Sequence, residues 1–230
     1  MSEALHFAEH RLQEVTLGTM AVVYTLRVLW LLHFKAGRER QATTARVEGG
    51  TRRGILFSWA IIGMPWAMES SRTRPWIYAQ FVLFHLGVTA GIVLSFLIPY
   101  APGVLAVPGA TGLVQVLTAL ACAIGCYRFY RRVADKTMRA ISSPDDYFSL
   151  ALLTVWFLLA TLAAPNRPSQ GEGVLLAFFW MTAFFLLYVP FSKISHYLYY
   201  PFTRFYFGRT MGYRGVFPVE RGARPRSSGA

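Results

Sequence analysis

Carboxylates are scarce in this sequence, and they are missing where a membrane pump would need them. The 230 residues hold 11 Asp+Glu against 23 Lys+Arg, and no long apolar run carries an Asp, Glu or Lys well inside it. An ionisable side chain in hydrocarbon is expensive and is kept only for a function such as a proton relay or an ion path. A transporter or channel is therefore disfavoured. Cysteine is nearly absent as well: Cys122 and Cys126 lie four apart inside an apolar run, without the C-x-x-C spacing of a zinc or redox site, and read as small packing residues. No internal repeat is found, so the inverted-repeat architecture of secondary transporters has no support. Met1 to Glu14 is polar with both charge signs, and the apolar run after it lacks a small-residue cleavage site, so no cleavable signal is expected.

Apolar residues dominate what is there. AVILMFWYC residues make up 54% of the chain against 15% charged, with a mean hydropathy of +0.38, more than a soluble domain needs to bury a core. The excess has to face lipid. At roughly 20 apolar residues per ~30 Å of hydrocarbon, the chain has room for four to six spans with short loops and no large soluble domain. Five runs qualify: Val15 to Phe34, Trp76 to Pro99, Leu113 to Tyr127, Tyr147 to Ala164 and Gly173 to Val189. The expected fold is an all-α integral membrane protein, a five-helix transmembrane bundle over residues 1–217 followed by a disordered tail, 218–230, rich in Gly, Ser, Arg and Pro. Gly54 to Met68 is apolar but short and broken by Pro65, which suits a helix lying at the interface between spans 1 and 2.

The net charge of +12 would suggest nucleic acid in a soluble protein, but the bases sit between the apolar runs, and no nucleic-acid partner is expected. Segments 35–75, 128–147 and 193–230 hold every Lys and Arg except Arg11, Arg27 and Arg167. Basic loops stay cytoplasmic. The alternation places the N-terminus outside and the C-terminus in the cytoplasm.

Among five histidines, two can meet. His85 lies in FVLFHLGVTAG nine residues after Trp76 opens span 2, or roughly 14 Å deep at ~1.5 Å per residue, and His196 follows span 5 in VPFSKISHYLYYPFTR. Both come to the same cytoplasmic-side level from different helices. That is what a bis-histidine haem b requires: two neutral imidazoles on opposite faces of a flat macrocycle, with small residues where helix and ring approach. Gly87 and Gly91 offer such a face at four-residue spacing. Lys193, Arg204, Tyr197 and Tyr199 are candidates to bind the propionates. The plainer reading makes His85 a polar packing residue and His196 an interfacial one. His6, His10 and His33 read as interfacial, His33 being on the correct side to act as a further ligand.

With FHLG early in span 2 and PFSK-I-SH closing span 5, the sequence resembles the gamma subunit of respiratory nitrate reductase. That membrane cytochrome b family includes the small subunits of the Dsr, Hmc and Tmc redox complexes of sulfur-metabolising bacteria. The resemblance implies that His85 and His196 ligate the haem nearer the cytoplasm. Two-haem members carry a second histidine ten residues after the first, where this chain has Ser95, and another within span 5, where Gly173 to Val189 has none. One haem b is therefore expected. Further implications are exchange with a membrane quinone, menaquinone by resemblance, in a bacterial inner membrane, and an iron–sulfur subunit on the cytoplasmic face. Other subunits of a redox complex, such as a periplasmic multihaem cytochrome, are implied as well. Residues 197–217, where arginines alternate with aromatics, are the expected docking surface, since Tyr, Phe and Arg are enriched at interface centres. The alternative is a cofactor-free membrane anchor or assembly subunit.

Overall fold

A computed structural model describes residues 2–34, 37 and 50–218, without the side chain of Ser70. Most of the basic stretch after span 1 and nearly all of the expected disordered tail lie outside these residues. The described chain is helical, with no strand, and five of its helices are long and apolar enough to cross a membrane. It is a multi-pass membrane protein by that measure. The five are α1 (Glu3–His33), then, after α2 (Gly50–Ala60), α3 (Pro75–Tyr100), α4 (Ala110–Ala134), α5 (Pro144–Ala163) and α6 (Gly173–Tyr188, prolonged by a 3-10 turn, Val189–Phe191). The last long helix is α7 (His196–Tyr213). The 3-10 turns Ile61–Gly63 and Pro65–Ala67 follow α2.

The helices form two compact units, residues 1–31 with 76–195, and 32–75 with 196–230. The first holds the five spans. At the start of α5, Pro144 occupies the first turn, where its missing N–H costs nothing, and Ser143 N–H donates to Asp146 Oδ2 at 2.8 Å to close a capping box. Helix α3 lays a small face on its neighbours. A Cβ added at Gly87 would meet Ala121 of α4, and one at Gly91 would lie 2.6 Å from the Trp156 indole of α5. Phe157, Phe178 and Phe179 are fully buried, with the Phe84 ring edge-on to Phe157 at 5.1 Å and Trp156 stacked on Phe178 at 6.1 Å. The Trp156 indole N–H donates to Thr182 Oγ1 at 2.9 Å, so its one polar group is satisfied inside the bundle.

Helix α1 begins 12 residues before the apolar run does, because its polar start is bound by protein. The Gln13 amide donates to Phe179 O at 2.8 Å. Ser2 donates from both its backbone N–H and its hydroxyl to Glu172, beside α6, which holds that carboxyl below the usual carboxylate range. A π-type turn, Ala8–Leu12, lies in this stretch, with Ala8 and Glu9 buried. After Thr16 no residue of α1 is buried.

The second unit is an antiparallel helix pair. Gly50, Gly54 and Ser58 of α2 face Gly212, Gly208 and Arg204 of α7, so close that a Cβ on Gly208 would sit 2.6 Å from the Ile55 Cα. Two small-residue rows at four-residue spacing let the backbones touch. Trp59 Nε1–H donates to Pro201 O at 2.9 Å, and Arg204 Nε–H to Ser58 O at 3.0 Å.

Candidate histidine site

His85 belongs to the first unit and His196 to the second, where it is the first residue of α7.

His85 is exposed on the surface of α3 in the middle of an apolar span. Its Nδ1 is 2.7 Å from Phe81 O, one helical turn back. A carbonyl only accepts, so Nδ1 carries a proton and donates it to Phe81 O. Metal-ligating histidines are held this way, with one ring N–H on a carbonyl and the other nitrogen presented to the metal. The Phe81 ring packs on the imidazole at 4.3 Å between centroids, and Thr89 Oγ1 donates to His85 O at 3.0 Å. The Phe81 carbonyl and ring hold the imidazole in a span where a polar ring in lipid is costly, while the Thr89 bond is to the backbone.

Gly87 and Gly91 do not share a face with His85. Two residues along an α-helix is about 200° of rotation, and the space beside these glycines is filled by Ala121 and Trp156. They serve helix packing. Ser95 is buried and donates its hydroxyl to Ile92 O at 2.7 Å, within its own helix.

Lys193 is held by α5: its Nζ donates to Ser143 Oγ at 2.7 Å and to Asp146 Oδ2 at 2.9 Å, and its backbone N–H to Asp145 Oδ2 at 3.3 Å. Tyr188 O–H donates to Asp145 Oδ1 at 2.6 Å and lies 2.9 Å from Ser149 Oγ. The ties of Asp145 and Asp146 to Lys193 and Tyr188 were not legible from the sequence. In the second unit Arg204 stacks on Phe207, with its guanidinium carbon 5.0 Å from the ring centre, while its Nε–H is committed to Ser58 O. His33, next to Phe34, and the exposed His6, paired with His10 at 4.8 Å between ring centres, complete the histidines. Among the described residues no group of three or more His, Cys, Asp or Glu could hold a metal ion, and two haem-ligating histidines would form no such group.

No family model matches this chain, nor does any curated protein or solved structure.

Proposed function

We propose that this chain is the haem b electron-transfer subunit of a membrane redox complex, with His85 and His196 as the axial ligands of one haem. The observation that carries the proposal is the Nδ1–H bond of His85 to Phe81 O on the exposed face of an apolar helix. It fixes Nδ1 as the donor, the arrangement found in metal-ligating histidines whose other ring nitrogen is the ligand. His196, opening α7 directly after the PFSKIS segment, is the partner favoured by the motif. The bound haem would supply one-electron chemistry, and the protein would position and tune it. The Ser95 hydroxyl, turned onto its own helix, favours a single haem over two. In this proposal the N-terminus is outside, the C-terminus is cytoplasmic, and the membrane is a bacterial inner membrane. The haem exchanges electrons between a quinone and an iron–sulfur subunit docked on the basic, aromatic helix α7.

A reduced-minus-oxidised spectrum of the purified chain, with a pyridine haemochrome assay, tests this. The expected result is one haem b per chain, lost in His85→Ala and in His196→Ala and retained in His6→Ala and His10→Ala. A normal low-spin b spectrum in either of the first two variants refutes the ligand assignment. A chain without haem leaves the cofactor-free anchor as the correct function.

A further inference from the structure

The polar start of α1 carries two histidines one turn apart, and the backbone there is held at both ends. Ser2 is bonded to Glu172 before them and the Gln13 amide to Phe179 O after them, while Leu5, Ala8 and Glu9 are buried in between. The helix changes from α to π turns at Ala8, inside the pair, a change frequent at functional sites. His6 is exposed and His10 half-buried, with ring centres 4.8 Å apart and planes at 41°. A second helix braces them. The His10 ring meets the ring of Tyr100, at the end of α3, edge-on at 5.4 Å, and the Tyr100 hydroxyl donates to Glu14 Oε1 at 3.2 Å. Among the described residues neither imidazole makes a hydrogen bond.

The ring separation is the one that chelation requires. With about 2.1 Å from metal to nitrogen and about 1.15 Å from nitrogen to ring centre, two imidazoles on one ion at about 90–110° have centres about 4.6–5.3 Å apart. Histidines at i and i+4 on one helix face can share an ion. The local field agrees: in a chain of net charge +12, residues 1–14 carry Glu3, Glu9 and Glu14 against Arg11, and Glu172 lies beside Ser2. A cation is favoured at this end. We infer that His6 and His10 form a binding site for one late first-row divalent metal ion, copper(II) or zinc(II). Imidazole nitrogen selects these ions over magnesium and calcium, which take oxygen ligands. Among the described residues no third His, Cys, Asp or Glu joins the pair, so the ion keeps positions for water or for a ligand that arrives with it. The site lies wholly within the first unit and is independent of the haem proposal. Its occupation ties the first turn of α1 to the π turn that follows.

Calorimetric titration of copper(II), zinc(II) and magnesium into the untagged full-length protein in detergent tests this, with electron paramagnetic resonance of the copper form. One saturable site is expected, tighter for copper than for zinc and absent for magnesium, with nitrogen hyperfine structure on the copper signal. His6→Ala and His10→Ala should each weaken binding by at least about tenfold, since even the outer partners of a metal site are worth about 10–100-fold. His33→Ala should leave it unchanged. Zinc should raise the melting temperature of the wild type and not of the double His6→Ala, His10→Ala variant. If His10→Ala does not accumulate, His10→Phe keeps a ring against Tyr100 without its nitrogens and is read in the same way. Wild-type copper affinity in either single variant overturns the site, as does a wild-type chain that takes up neither ion.

Discussion

Gly91 and Gly18 lie in spanning helices, and their surroundings give them opposite sensitivities. A Cβ on Gly91 would press on the Trp156 ring at 2.6 to 3.3 Å, whereas one on Gly18 meets nothing within 4 Å. Trp156 cannot retreat, because its N–H is tied to Thr182 and its ring lies against Phe178 and Phe185. Overpacking of this kind costs about 1–3 kcal/mol. Gly91→Ala should therefore lower the melting temperature of the detergent-solubilised protein, and Gly18→Ala should leave it unchanged or raise it slightly, since Ala is the better helix former by about 1 kcal/mol. Equal melting temperatures for the two variants would mean that the α3–α5 contact is loose. At this scale the sequence was partly readable. It marked Gly87 and Gly91 as a close-approach face, but nothing in the spacing said whether the approaching group was a macrocycle or an indole.

At the level of elements, the spans were legible and their ends were not. Trp76 to Pro99 agrees with Pro75–Tyr100 to a residue at each end, because hydropathy alone defines that run. Leu113 to Tyr127 falls short of Ala110–Ala134 because the helix continues through Arg128, Arg131 and Arg132; the Arg128 guanidinium carbon lies 5.0 Å over the Phe84 ring. Long basic side chains can cover apolar surface in this way, so charge did not mark the helix end. The pair α2 and α7 was legible only in part. Gly54 opens the segment expected to form a short interfacial helix, but Gly50 stands in the basic stretch before it, and Gly208, Gly212 and Pro201 are helix breakers by propensity, yet the glycines are what the crossing requires. Gly208→Leu should separate the pair, since its Cβ would meet the α2 backbone rather than a movable side chain. Trypsin cleavage at Arg209 and Arg214 should then rise several-fold, with Gly63→Ala, where space is open, as the neutral control. Unchanged cleavage would show that the two backbones are not in contact in the membrane.

For the whole molecule, the distribution of charge makes the proposed orientation testable independently of any cofactor. A membrane-impermeant maleimide applied to spheroplasts should label Ser169→Cys, in the short loop before α6, and should reach Ser142→Cys, before α5, only after the membrane is opened. The reverse pattern would invert the topology and place the basic helix α7 outside. The antiparallel pair of the second unit also bears on the order of synthesis. Its halves are separated by about 135 residues, between Ala60 and His196, and at about 5–20 residues per second the ribosome needs roughly 7 to 27 s to make them. For that interval the Gly50–Gly54 face of α2 has no mate on its own chain, while four spanning helices are still being inserted. Assembly of this unit is therefore necessarily post-insertional, and a chain truncated before α7 would leave α2 with a bare backbone surface for the membrane quality-control proteases to find.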